Sequence, residues 1–138
     1  MNRFGVDGMV SDDLTINDYF VEKDGTRFAG LHLLIEFWDA VNLNDVSAIE
    51  AALSRAAEKA KATVLIVHAH KFSPNGVTGI AVLAESHISI HTWPERGFAA
   101  IDVFMCGTCD PYECVEPLKE DFKPNRVKLS EHKRGMLP

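Results

Sequence analysis

Between Ala62 and Met105 the chain offers almost nothing but strand-forming sequence interrupted by tight turns, and this restricts the fold more than any other feature. The β-branched run Thr63-Val64-Leu65-Ile66-Val67 passes into alternating His68 and His70, and Pro74-Asn75-Gly76 supplies a turn. Val77 to Glu85 then returns as a hairpin partner and leads almost without a break into His87 to Thr92. Trp93-Pro94-Glu95-Arg96-Gly97 makes the next turn, because proline withdraws a ladder donor, and Phe98 to Met105 comes next as a further strand. Turns this short join antiparallel neighbours.

Helical patterns flank this core. Val46, Ile49, Leu53, Ala56, Ala57 and Ala60 recur at three and four residues as one apolar stripe. Asn44 or Ser47 is placed to cap it, Ser47 and Glu50 have capping-box spacing, and Lys59 and Lys61 lie near its C-terminus. Asp110 can cap a second helix with Pro111 at its first position, and Pro117 inside that helix is predicted to shorten or kink it. Phe28 to Phe37 precedes the first helix as a buried strand. Asn125 to Glu131 ends the order, with Arg126 and Lys128 alternating against Val127 and Leu129. One strand, a helix, four strands, a helix and a strand predict an α+β two-layer sandwich, a mainly antiparallel sheet with helices on one face. The other face is then solvated, lines a ligand cleft or meets a second copy.

A chain of 138 residues that is 46% hydrophobic can bury one core. We expect a single domain over residues 28–138, preceded by an acidic extension, 1–27, read as a solvated or loosely docked arm. With 14 basic against 20 acidic residues the net charge is −6, which disfavours a phosphate-tracking surface and nucleic acid as a partner. No apolar run reaches membrane-spanning length, and the start lacks a basic-then-apolar leader, so membrane association is not expected and a cytoplasmic location is. Cys106, Cys109 and Cys114 are an odd set and no disulfide framework; reduced thiols are expected.

The informative stretch is Glu85-Ser86-His87-Ile88-Ser89-Ile90-His91-Thr92-Trp93-Pro94-Glu95. In an extended strand His87, Ser89 and His91 share one face and Ile88 and Ile90 the other. Taken alone, the polar stripe fits a solvent-facing strand. It also fits metal ligation by His68, His70, His87 and His91, or a Ser–His nucleophile pair with Asp102 as a third member, although neither an H-E-x-x-H helix nor a G-x-S-x-G elbow accompanies it. Cys106-Gly107-Thr108-Cys109 has C-x-x-C spacing without the βαβ start or second pair that would give it meaning.

ESHISIHTWPE followed by GFAAIDVFMCG resembles the bacterial and archaeal S-adenosylmethionine decarboxylases. GLHLLIEF, HKFSPNGVTG and EHKRG extend the likeness over about Gly30 to Gly135. The resemblance implies a proenzyme that cuts itself between Glu85 and Ser86 into a β chain (1–85) and an α chain (86–138). Ser86 becomes a covalent pyruvoyl cofactor whose ketone condenses with the substrate amine, with no requirement for pyridoxal phosphate or metal. It further implies that His91 removes a proton during processing, helped by Thr78, and that Cys106 returns a proton in decarboxylation. Phe72 and Glu95 match positions that stack the adenine and hydrogen-bond the ribose of the substrate, and Ile88 is expected to line the same pocket through its backbone. The substrate would be S-adenosylmethionine, the product an aminopropyl donor for spermidine synthesis, and the assembly a homodimer of cut protomers.

Two departures stand out. Leu31 replaces an arginine of many bacterial relatives, and Thr78 replaces a serine while keeping the hydroxyl. The same chemistry acting on arginine or ornithine is the first alternative. A non-enzymatic or metal-binding domain that retains the fold is the second.

Overall fold

The computed structural model describes residues 20–138. Its strands are β1 (Val21–Lys23), β2 (Thr26–Phe28), β3 (Gly30–Trp38), β4 (Val64–Lys71), β5 (Val77–Leu83), β6 (Ser86–Trp93), β7 (Phe98–Cys106) and β8 (Arg126–Arg134); its helices are α1 (Val46–Lys59) and α2 (Val115–Phe122). Strands β3 to β8 form one sheet in the order β4-β5-β6-β7-β3-β8, and every neighbouring pair is antiparallel. The sandwich expected from sequence is thus the one formed. Ile49, Leu53 and Ala56 of α1, with Leu118 and Phe122 of α2, pack on Leu33, Ile35, Phe37, Ile88, Ile90 and Val103 of the sheet. Each large side chain removed from water contributes about 1.5–3 kcal/mol, so this layer dominates the stability.

The helix termini differ from expectation. Asp45, not Asn44 or Ser47, caps α1, its carboxylate accepting from Ala48 N–H at 3.0 Å. Asn44 instead accepts from Gly76 N–H, pinning the β4–β5 turn, and Glu50 reaches the backbone N–H of Ala69 on the edge strand β4 rather than closing a capping box. Asp110 does cap, but onto a 3-10 turn, Pro111–Cys114. Because α2 starts only at Val115, Pro117 falls in its first turn, where no N–H has an intrahelical partner, and no kink is needed. Arg55 joins the two helices through Asp121, Glu120 and the Pro117 carbonyl.

Residues 1–19 of the expected acidic arm lie outside the described residues. The remainder of that arm forms a hairpin, β1 paired with β2, rather than a loose extension. Asp24 and Gly25 at its turn have φ of 56° and 77°, the paired positive values of a tight hairpin turn. Leu137 N–H donates to the Arg27 carbonyl and ties the hairpin to the C-terminal tail.

The sheet face without helices carries an unusual set. Directly paired strand residues point the same way, and the register places His68, His70, His87, His91, His32 and His132 on this one side: all six histidines of the chain. Among them stand exposed Leu34, Ile66, Ile80 and Trp93.

Candidate active site

Ala84 and Glu85 form the two-residue connection between β5 and β6. Thr63, just ahead of β4, holds both: its carbonyl accepts from Ala84 N–H, and its N–H and hydroxyl donate to the two carboxylate oxygens of Glu85 at 2.9 and 3.1 Å. With its side chain so fixed, Glu85 presents its own carbonyl oxygen to Cys106 at the end of β7. The backbone N–H of Cys106 donates to that oxygen at 3.1 Å and its thiol at 3.0 Å. The next residue, Ser86, has φ of 150°, a region populated almost only by glycine and costing a residue with a side chain about 1–3 kcal/mol. Two donors on a carbonyl oxygen beside a strained serine are what attack on that carbonyl requires, because they can stabilise the oxyanion that forms.

The remaining residues expected at the site gather elsewhere. Thr78 and His91 face one another across β5 and β6, with Oγ1 and Nδ1 3.2 Å apart. Phe72, half exposed, meets the His70 ring edge-on at 4.6 Å between centroids. Glu95 is exposed in the 3-10 turn Pro94–Arg96 that comes after β6. The side chain of Ile88 is fully buried in the core. Ser86 and His91 lie five residues apart on one strand, about 16 Å at the rise of extended chain. Within one protomer, therefore, Glu85, Ser86 and Cys106 occupy one end of the sheet, and Thr78 and His91 lie well along it.

Between the two groups sits a cluster that the sequence does not announce. The Oδ2 atom of Asp102 on β7 lies 2.7 Å from His32 Nε2 of β3 and 2.8 Å from His87 Nε2 of β6, while Oδ1 accepts from the Ser89 hydroxyl. Burial pushes the Asp102 carboxyl up, but hydrogen bonds from Ser89, His32 and His87 outweigh it and hold the group below the usual carboxylate range. The sequence offers Asp102 only as a third member for a serine triad, and nothing in it marks His32. The alternation Ala100-Asp102-Phe104 opposite His87-Ser89-His91 is the available signal.

Among the described residues, His32, His87 and Asp102 are the group close enough to share a metal ion, rather than the set of His68, His70, His87 and His91. Arg134 opposes that use. Its guanidinium lies 2.9 Å from His32 Nδ1, so Nδ1 accepts and the ring proton sits on Nε2, the atom a metal would need bare.

The C-x-x-C pair is not a matched dithiol. Cys106 turns to Glu85, whereas Cys109 Sγ lies 3.8 Å from the Lys61 carbonyl and burial pushes its thiol up. Cys114 is buried against the Ala56 carbonyl, and burial pushes its thiol up to about 12. A cleft of about 440 Å³ opens on the helix-free face between Glu36, Ser89, His91, Asp102 and Lys128. A larger cavity of about 760 Å³ lies beside the loop after β7, lined by Phe20, Phe28, Leu31, Met105, Cys109 and Pro111.

Known proteins share this architecture. A family model described as S-adenosylmethionine decarboxylase matches residues 31–135. The S-adenosylmethionine decarboxylase proenzyme of Methanococcus maripaludis is 46% identical over 111 residues, covering 78% of this chain and 91% of the relative. The proenzyme of Thermotoga petrophila is 46% identical over 109 residues, covering 77% and 84%. The crystal structure of the adenosylmethionine decarboxylase from Aquifex aeolicus superposes with a TM-score of 0.74 at 35% identity, covering 80% of this chain and 94% of that one. Fold and comparisons together place the chain among the carboxy-lyases. Within that class it belongs to the S-adenosylmethionine decarboxylase family.

Proposed function

We propose that this chain is the proenzyme of a pyruvoyl-dependent S-adenosylmethionine decarboxylase, with residues 28–138 as its catalytic domain and Glu85–Ser86 as the bond it cuts. The observation that carries this reading is the Glu85 carbonyl held by two donors of Cys106 next to Ser86 at φ 150°. The Ser86 hydroxyl attacks the Glu85 carbonyl carbon, charge collects on the oxygen that Cys106 cradles, and the Ser86 nitrogen departs to leave an ester. Removal of the residue-86 Cα proton by His91 breaks the Cβ–O bond and releases the Glu85 carboxylate; addition of water and loss of ammonia leave a ketone on residue 86. That group, once formed, withdraws the electrons freed as carbon dioxide leaves. Cys106, on the strand beside it, is placed to return a proton.

His91 cannot reach Ser86 of its own chain across about 16 Å of strand. A second copy resolves this. If two helix-free faces pack about a two-fold axis near Ser89, the Thr78–His91 pair of each protomer falls opposite the Ser86 end of the other, and the exposed Leu34, Ile66, Ile80 and Trp93 are covered. The active unit is then a homodimer with two shared sites.

Phe72, exposed and on the same side as His91, suits stacking of an adenine, and Glu95 can accept from a ribose hydroxyl. These favour S-adenosylmethionine over arginine or ornithine, whose distal cations would want an acidic anchor and no aromatic platform. The product would serve as an aminopropyl donor in spermidine synthesis. Among the described residues no helix is long and apolar enough to cross a membrane, and the three free cysteines suit the reducing cytoplasm, where we place the enzyme. Carbon dioxide release measured with all three substrates tests the reading: turnover is expected with S-adenosylmethionine and reduced by Phe72→Ala, whereas turnover confined to arginine or ornithine, unaffected by Phe72→Ala, would overturn the assignment.

A further inference from the structure

We propose that Asp102 is a positioning residue for backbone cleavage: by holding His87 it fixes β6 on β7, so that the Glu85 carbonyl stays seated on Cys106. The proposal rests on the functional reading above and deepens it. The reacting groups sit where a ladder is weakest, since Ser86 is the first residue of β6 and Cys106 the last of β7, and strand ends fray. A displacement of about 1 Å there is enough to spoil catalysis.

The residue next to Ser86 is His87, and its Nε2 lies 2.8 Å from Asp102 Oδ2. Asp102 is the central residue of β7, four residues before Cys106, and its carboxylate reaches along the sheet to His87, the second residue of β6, so it ties the two reacting strands one residue from Ser86. Ser89, two residues further along β6, donates to the other carboxylate oxygen and adds a second tie between the same strands. The clamp is braced from behind. His32 on β3 lies 2.7 Å from Oδ2, and Arg134 on β8 holds the far side of that imidazole at 2.9 Å. The ring of Phe104 lies 5.2 Å from the His32 ring and 6.1 Å from the His87 ring, wedging both. Side chains of β6 and β3 thus meet the β7 carboxylate directly and β8 reaches it through His32, three ladder positions along from the Ser86–Met105 pair. A surface ion pair needs no such bracing, and a metal site would not place a guanidinium behind one of its ligands.

The test uses newly synthesised full-length chain, followed by intact mass over time. Asp102→Ala and His87→Ala are expected to cleave about tenfold to a hundredfold more slowly than the parent. His87→Gln, which keeps an N–H donor able to reach Asp102, is expected to recover most of the rate. Because the clamp acts before the ester forms, hydroxylamine, which cuts esters, should not rescue the slow variants. Parental cleavage rates in Asp102→Ala, or accumulation of a hydroxylamine-sensitive chain, would overturn the proposal. Should Asp102→Ala fail to fold, Asp102→Asn, of equal size and with one acceptor oxygen, takes its place and must fall between the parent and His87→Ala in rate. If the parent itself never cleaves, the functional reading fails and the clamp falls with it; a cleaving parent with parent-like variants removes the clamp alone.

Discussion

The thiol of Cys106 lies 3.0 Å from the carbonyl oxygen of Glu85, and the backbone N–H of the same residue donates to that oxygen at 3.1 Å. One residue thereby supplies both donors at the bond proposed to be cut and, on that proposal, stands beside the new end of β6 after the cut. Its two duties can be separated. Cys106→Ala removes one donor and leaves the other, so cleavage is expected to slow by roughly a hundredfold without stopping. Cys106→Ser keeps a donor and should cleave at close to the parental rate, yet lose most carbon dioxide release, because a serine hydroxyl is far less acidic than a thiol. Time-resolved mass and single-turnover assays on the two variants check this; equal effects on both steps would contradict it.

If the site is shared between two copies, as proposed, complementary defects repair each other. Ser86→Ala and His91→Ala chains should each remain largely uncut alone. Co-expressed with different tags, the His91→Ala chain is expected to be cut, because its Ser86 meets the intact His91 of its partner. Mixed dimers that stay uncut would show that the site is not built across two copies.

Gly30 is held by space rather than by dihedral freedom. A Cβ at that position would stand 2.5 Å from the Met105 carbonyl oxygen and 2.9 Å from the Phe104 ring. Gly30→Ala should therefore force β3 off β7 and destabilise the fold by about 1–3 kcal/mol. Thermal or denaturant unfolding measures this, and a parental midpoint would refute it.

Asp102 has its carboxyl held below the usual range, so its contribution to stability is present above the unfolded value near 4 and is lost as pH falls through the lower folded value. The unfolding midpoint of Asp102→Asn should lie below the parent at pH 7, and the gap should narrow as the solution is acidified past about pH 4. A gap independent of pH would mean that the charge of Asp102 is not what its hydrogen bonds stabilise.

Much of this architecture is legible in the sequence, and the exceptions have local causes. Period two places His87, Ser89 and His91 on one face, and the β4–β5 and β6–β7 turns announce themselves through Pro74-Asn75-Gly76 and Gly97, whose φ is 62°. Asp24-Gly25 carries an equally good hairpin signal, obscured by the acidic composition around it. Capping goes to Asp45 because its neighbour Asn44 is used by Gly76, a contact set by tertiary packing. The Asp102 cluster draws side chains from β6, β7, β3 and β8, which become neighbours only once the strand order is known. The separation of Ser86 from His91 is within reach of sequence alone, since five residues on one strand already fix the distance.

Intact mass spectrometry of the purified protein beside Ser86→Ala tests the central claim most directly. The expected result is two fragments in the parent, residues 1–85 and 86–138, the shorter beginning with a ketone-reactive group, against one continuous chain in the mutant. A parent that decarboxylates its substrate while remaining a single unmodified chain would contradict it.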